Sequence, residues 1–420
     1  MASAFTNSVV LERGVSLRLL VINDVSTVRG GATKVAMRCI EAATAANIDC
    51  AVLVGDDGAG IREMFPQVHV EALGEKPLRD GVSAGDLFSR NFNPRAYRAL
   101  RQLLTARSGN TVVHVHGWSQ ILSPSIFHAL ARHDARVLLT THDFFAACPN
   151  GGYVNYRRGD ICNLRPLSLP CLATNCDKRN YFHKLWRFAR SLTQQGAGDA
   201  FWSRVDIILA HENMEPYLRS GPLRKFLTLR TPATPLSRNG RVRAWENETV
   251  LYLGRMTWEK GVRTLAEALN NTRISATLIG RGPLLEETRL ALPHCRVAGW
   301  LEDDEVARIA CKTRYLIMPS RMPEPYGLVT AEALMCGIPV IVSSNALIAR
   351  EVEENRAGLV FESGNAKSLA EKMALMRNAE LVRRLSDGAF AYGQKIAPSW
   401  EEWSRRIVDI YLGKVSFTAH

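Results

Sequence analysis

Apolar residues occur along this chain in short unbroken runs, separated by stretches in which they return every three or four positions. Leu17 to Ile22 is such a run, interrupted only by Arg18, and predicts a strand covered on both faces, as in parallel sheets. The loop Asn23 to Gly31 follows. A helical pattern then extends from about Ala32 to Ala46, with Val35, Ala36, Cys39, Ile40 and Ala43 on one face. Runs at Cys50 to Val54, Thr111 to Val115, Arg136 to Thr141 and Val205 to Ala210 predict further strands, with a helix over Pro124 to Arg132. Strands alternating with helices imply βα units, and right-handed crossovers make them a doubly wound sheet.

From Leu229 to Asn247 the chain is rich in Pro, Arg, Asn and Ser and loses its periodicity, as a linker does. The alternation restarts at Val250 to Leu253 and continues at Ala276 to Ile279, Cys295 to Ala298, Tyr315 to Met318, Pro339 to Val342 and Gly358 to Phe361. The expected organisation is an N-terminal domain over 1–228, a linker over 229–248, a second α/β domain over 249–396 and a closing segment over 397–420. In that last segment Trp403, Ile407, Ile410 and Tyr411 share one helical face, which can return to pack on the first domain.

Composition narrows the classes. The 420 residues carry a formal charge of +12, which favours acidic partners such as phosphates or an anionic membrane surface, set against a generally basic surface. No run approaches the ~18 apolar residues of a membrane span. The N-terminal stretch Met1 to Asp24 has no long apolar core after a basic start and does not read as a signal peptide. The reading is a cytoplasmic protein, with a peripheral place on the inner face of the membrane as an extension of it. Of nine cysteines, Cys148, Cys162, Cys171 and Cys176 cluster in an insert over 148–176 with gaps of thirteen, eight and four residues. There is no CxxC, so zinc is only a weak reading of it. GDDGAG at Gly55 to Gly60 departs from G-x-G-x-x-G, and no helix clearly starts there.

The densest chemistry lies in PSRMPEPYGLVTAEALMCGIPVIVS, Pro319 to Ser343. Glu324 and Glu332 are separated by seven residues. A bare pair at this spacing is ordinarily two solvated side chains; the Pro-Tyr-Gly lead-in and the Cys-Gly-Ile-Pro exit single this one out. Tyr326-Gly327 leads into a predicted helix from Leu328 to Cys336, stopped by Gly337. Its first turn offers free amides and a positive dipole end, suited to a diphosphate. In YLGRMTWEKGVRTLAEAL, Arg255 and Lys260 stand past a strand's carboxyl end, where open α/β sheets bind ligands. Gly30-Gly31 lets backbone approach a ligand closely or forms a plain turn. His142 follows the strand that ends at Thr141. His114 and His116 share one strand face and, with no third ligand in view, read as structural histidines. In YFHKLWRFARSL, Phe182, Leu185, Trp186 and Ala189 form one face, with Lys184, Arg187 and Arg190 away from it. That stretch can rest on an anionic bilayer or pack on the domain with a solvated basic face.

These motifs resemble the family 4 glycosyltransferases of the GT-B class. The resemblance is strong from Leu251 to Ala374 and weaker before residue 240. It implies two Rossmann-like doubly wound domains facing each other across a cleft, the C-terminal one for the donor and the N-terminal one for the acceptor. It implies a retaining, metal-independent transfer of a sugar from a nucleotide-diphosphate sugar, UDP or GDP, to a glycan or lipid-linked acceptor, in envelope or exopolysaccharide synthesis. No cofactor and no nucleic acid are expected. By resemblance Arg255 and Lys260 clamp the pyrophosphate. Glu324 faces the donor sugar, Glu332 the ribose, and the backbone at Tyr326, Gly327 and Leu328 the sugar and phosphate oxygens. Gly299 and Leu301 edge the nucleobase pocket. Gly30 and Gly31 face donor phosphates and acceptor, and His142 lies near the donor sugar with Asp143 in support. The rivals are a nucleotide-sugar epimerase of the same fold and a catalytically silent binding subunit.

Overall fold

The computed structural model describes residues 17–28, 30–78, 90–106 and 110–419. Residues 1–16 of the stretch read above as lacking a signal peptide lie outside the described residues. In chain order the first strands are β1 (Arg18–Asn23), β2 (Asp49–Val54), β3 (His69–Ala72), β4 (Thr111–Val115), β5 (Arg136–Thr141), β6 (Val154–Asn155), β7 (Asp160–Ile161), β8 (Asp206–Leu209) and β9 (Lys225–Thr228). They are followed by β10 (Thr249–Leu253), β11 (Ala276–Ile279), β12 (Arg296–Gly299), β13 (Thr313–Met318), β14 (Val340–Ser343), β15 (Gly358–Phe361) and β16 (Thr418–Ala419).

The chain forms two compact units. The first unites residues up to Gly151, Leu164–Leu229 and everything from Glu401 on. Its sheet has the order β16-β9-β8-β5-β4-β1-β2-β3, parallel throughout except where β16 runs against β9. The central strands are buried along almost their whole length, which is why they read as continuous apolar runs. The helix Trp400–Tyr411 buries Trp403, Ile407, Ile410 and Tyr411. Within this unit the Ile410 carbonyl accepts from Arg136 at 2.6 Å, and the Tyr411 hydroxyl meets His114 Nδ1 at 2.8 Å.

The second unit comprises Gly152–Asn163 and Arg230–Trp400. Its six strands run parallel in the order β12-β11-β10-β13-β14-β15. Alternate residues feed two apolar cores. Leu251, Leu316 and Val340 face one, while Val250, Tyr252, Tyr315 and Ile341 face the other. Both units thus carry Rossmann-like doubly wound sheets. The β6–β7 hairpin, part of the cysteine-rich insert, belongs to this second unit.

Two local readings change. A helix, Ala59–Met64, does start within GDDGAG, capped by Gly58 in the left-handed conformation. The strands β3 and β9 are too short and mixed, HVEA and KFLT, to show a clear apolar run.

Gly261, at φ 73°, joins the turn Trp258–Lys260 to the helix Val262–Thr272. A Cβ there would stand 1.8 Å from the Pro319 carbonyl oxygen. Gly261→Ala is expected to destabilise the second unit by roughly 2–4 kcal/mol, from the backbone conformation and the overlap together. Its thermal midpoint reports this, and an unchanged midpoint would mean the two loops are not locked together.

Candidate active site

In the second unit the strand order turns between β10 and β13, so the loops leaving these two strands diverge and open a crevice at their carboxyl ends. The loop after β10 carries Arg255 and Lys260; the loop after β13 carries Ser320 and Glu324. The missing side chain at Gly261 lets the two loops touch. Lys260 Nζ donates to both carboxylate oxygens of Glu324 at 2.6 Å, and the Ser320 hydroxyl donates to one of them at 2.9 Å. Burial pushes the Glu324 carboxyl up, but Lys260, Ser320 and Arg255 outweigh it and hold the group below its ordinary value. The carboxylate is ionised at neutral pH. Removing one partner of so enclosed a pair typically costs about 3–5 kcal/mol. Arg255 is different. Its side chain is 61% exposed, and its nearest carboxylate, Glu259, stands 4.0 Å away. The structure therefore supplies one cation fixed by an internal partner and one facing outward.

The helix after this loop spans Leu328–Met335 and is capped by Gly327 at φ 65°. A Cβ at Gly327 would stand 2.8 Å from the Met318 sulfur. The Thr330 and Ala331 amides turn back to the Gly327 carbonyl, leaving the earlier first-turn amides without an intrahelical acceptor. Tyr326 is buried, and its hydroxyl donates to the Ile396 carbonyl at 2.8 Å, so this side chain anchors the loop. Glu332 lies one turn into the helix, half-buried. Gly299 ends β12 at φ 76° and its carbonyl accepts from Gly280. Leu301 packs on the apolar core, while Trp300 between them is 60% exposed.

In the first unit Gly30 and Gly31 follow β1 and open the helix Gly31–Ala45. Gly30 is exposed, with no atom within 4 Å of where a Cβ would be. His142 follows β5 and is half-buried; its Nε2 lies 3.2 Å from His116 Nδ1, with the rings stacked. Asp143 caps the Phe145 amide. A third soft donor does accompany the His114–His116 pair. Cys39 Sγ and one ring nitrogen of each histidine lie within 4.8 Å of one another. His114 already meets Tyr411 and Thr140, at 2.8 and 2.7 Å, and only His116 Nε2 is left without a partner. Sequence reasoning missed Ser320, His116 as the neighbour of His142, and Asp24. The Asp24 carboxylate accepts the amides of Gln120, Ile121 and Leu122 and so ties the loop after β1 to the loop after β4. Its signal was a lone acid directly after an apolar run.

The basic helix is oriented opposite to expectation. Lys184 is 1% exposed. Arg187 pairs with Asp177 at 3.0 Å, and Arg190 donates to the carbonyls of Ser119 and Trp118. Phe182, Leu185 and Leu192 are instead exposed. Each cation finds an acceptor inside the unit, and these ties outweigh the burial of the apolar residues. Lys184, Arg187 and Arg190 therefore form no solvated basic face.

Residues 247–378 match the family described as Glycosyl transferases group 1. The chain is 30% identical over 167 residues to an uncharacterized glycosyltransferase of Methanocaldococcus jannaschii, covering 38% of this chain and 47% of that protein. It is 29% identical over 160 residues to a GDP-mannose-dependent alpha-(1-6)-phosphatidylinositol monomannoside mannosyltransferase of Mycobacterium tuberculosis, covering 34% and 42%. In these matches the chain spans less than half the length of its relatives. Among solved structures it resembles sucrose-phosphate synthase from Thermosynechococcus elongatus, with TM-score 0.69, 19% identity and 94% and 99% of the two chains covered. It also resembles Anabaena HepE in complex with UDP, with TM-score 0.63, 15% identity and 95% and 100% covered. The fold is that of the GT-B glycosyltransferases, and the segment that matches the group 1 family lies in the second unit.

The histidine cluster has a measurable consequence. Burial, with a smaller contribution from His142, lowers His114 to about 3. Burial alone lowers His142 to about 4 and, with His114 and His142, takes His116 well below the ordinary imidazole value. All three are neutral when folded at neutral pH and take up protons near pH 6.5 when unfolded. Their contribution to stability is complete above pH 6.5 and lost as the pH falls towards the folded values, by about 1.4 kcal/mol per pH unit for each histidine. Urea unfolding of the first unit between about pH 7 and pH 5 should show this slope, flattened in His116→Phe; a pH-independent midpoint would contradict it.

Proposed function

We propose that the chain is a retaining glycosyltransferase that moves a sugar from a nucleoside-diphosphate sugar to a separate acceptor. The observation that carries this is the Lys260–Glu324 pair at the turning point of the second sheet, beside the amino end of the Leu328–Met335 helix. A lysine held by an internal carboxylate is preorganised: it needs no reordering when charge develops on a leaving diphosphate. Arg255, exposed, closes on the same diphosphate from the solvent side. The amides at Gly327 and Leu328 receive phosphate or sugar oxygens, as helix amino ends do. Glu324 accepts a donor sugar hydroxyl on its remaining lone pairs, and Glu332 the ribose hydroxyls. Gly299 and Leu301 border the base. Gly30, Gly31 and His142 stand on the carboxyl edge of the first sheet, and for them we keep the roles the resemblance implies, toward phosphate and sugar oxygens.

The reaction follows from these groups. The acceptor hydroxyl oxygen bonds to the anomeric carbon as the bond from that carbon to the diphosphate oxygen breaks. The departing oxygen takes the acceptor proton on the same face, so configuration is retained. Two side-chain cations neutralise the leaving group, so the step requires no metal. A GDP or UDP sugar is the donor, in line with the mannosyltransferase relative and the UDP-bound fold neighbour. The acceptor is a glycan or lipid-linked molecule of envelope synthesis, reached from the inner face of the membrane. Phe182, Leu185 and Leu192 are exposed along one stripe of the helix Tyr181–Gln195, and exposed Lys178 and Arg179 precede that helix in the chain, a combination that suits such a surface.

Lys260→Ala is expected to lower transfer by about 10²–10³-fold with the circular dichroism spectrum unchanged. In a thermal-shift series UDP or GDP should raise the midpoint of the wild type and not of the variant. Unaltered turnover would remove lysine from the mechanism. Flotation with vesicles containing anionic lipid should recover the wild type and lose most of Phe182→Asp/Leu185→Asp. Equal recovery of both, or of neither, would dismiss the membrane face.

A further inference from the structure

Lys184 places an ammonium where water cannot reach it. The residue is 1% exposed. Among the described residues its one hydrogen-bond acceptor is the sulfur of Cys171, at 3.2 Å, and the Phe188 ring centre lies 5.6 Å away. Two more sulfurs, of Cys176 and Cys148, lie within electrostatic reach. All three cysteines are buried. Asn150, also buried, links two of them: it accepts from Cys148 Sγ at 3.3 Å and donates to Cys176 Sγ at 3.5 Å. The nearby buried carboxylate, Asp177, is paired with Arg187.

With three neutral thiols this pocket would enclose a positive charge and no negative one, an arrangement folded chains avoid. A single thiolate would balance the ammonium but leave the other two sulfurs without a reason to be there. Three thiolates around a divalent cation account for all of them. The charges then sum to zero, with three negative sulfurs against a doubly charged ion and one ammonium. Sulfur donors select a soft ion, and thiolate sites of this kind are zinc sites above all. An N–H donor on a ligand sulfur is the outer-shell contact that such sites use.

We propose that Cys148, Cys171 and Cys176 bind a zinc ion as thiolates, with Lys184 as the cation that neutralises the cluster. Binding releases three thiol protons to solvent as three metal–sulfur bonds form; the Cys148 S–H bond to the Asn150 amide oxygen is given up in this step, and the fourth position is left to solvent or another donor. Unlike the donors of Cys39, His114 and His116, the three sulfurs do not all lie within 4.8 Å of one another, and the ion would draw them together. That other set carries no unbalanced charge, and His114 in it is already engaged at both nitrogens. The zinc would be structural, tying the turn at Cys148 to the short helix Leu169–Ala173 and to the lead-in of the helix Tyr181–Gln195. It is independent of the sugar-transfer reading.

The test uses the full chain, purified without a metal-affinity tag, with bound zinc measured by elemental mass spectrometry and the metal exchanged for Co²⁺. About one zinc per chain is expected, with thiolate-to-cobalt charge-transfer absorption in the near ultraviolet. Cys171→Ser and Cys176→Ser should each lower bound zinc at least about tenfold, while Cys39→Ser and His116→Gln leave it unchanged. Lys184→Met should keep the site but weaken it by about 10–100-fold in a chelator competition. If the cysteine variants fail to fold, the wild type decides through its zinc content and cobalt spectrum. A chain without zinc and without that absorption overturns the proposal, as does zinc lost on Cys39→Ser but kept on Cys171→Ser.

Discussion

The contact on which the candidate site depends is the ion pair of Lys260 with Glu324, and that pair rests on an absent atom. Any side chain at Gly261 would collide with the Pro319 carbonyl, so only glycine allows the loop after β10 to lie against the loop after β13. Once the loops touch, lysine and glutamate meet in a partly enclosed place where each makes the other's charge tolerable. Ser320 adds a hydrogen bond that favours the ionised carboxylate. Glu324 and Gly327 belong to one short loop, so the pair lies close along the chain to the helix amino end.

The two units handle buried polarity differently. In the second unit the buried polar groups away from this crevice are mostly small hydroxyls such as Thr264, Thr288, Thr313 and Ser386, and apolar cores cover both faces of the sheet. The first unit draws polar groups inward: three histidines, Asp24 and Lys184 all lie within it. Each is held by a particular partner, and in that setting polar ties determine which way a helix turns. That is how a helix with cations on one side comes to turn them inward, Lys184 fully, and present Phe182 and Leu192 to solvent.

Much of this was legible in the sequence. The strands β4, β5, β11 and β15 coincide with the apolar runs that announced them, because a strand covered on both faces has no polar side to blur its ends. The second-unit motif was legible because glycines, prolines and charges fall at fixed spacings within one short segment. What stayed hidden depends on residues far apart in the chain. Neither the meeting of His116 with His142 nor the bond between Tyr411 and His114 has a local signature, the latter spanning 297 positions. The inverted helix was hidden for a related reason. Its periodicity was read correctly, but periodicity separates two faces without saying which one is inside when the cations have acceptors waiting for them.

The route of the backbone has a consequence during synthesis. The first sheet needs β16, and His114 needs Tyr411, so this unit is unfinished while the ribosome is still making the second. At the usual pace of translation, its growing edge at β9 stays uncovered for on the order of ten to forty seconds. The second unit has nearly all its residues in one continuous stretch and takes only a short hairpin from upstream. It is equipped to close first, leaving the earlier-made half to be completed by residues that follow the second unit in the chain.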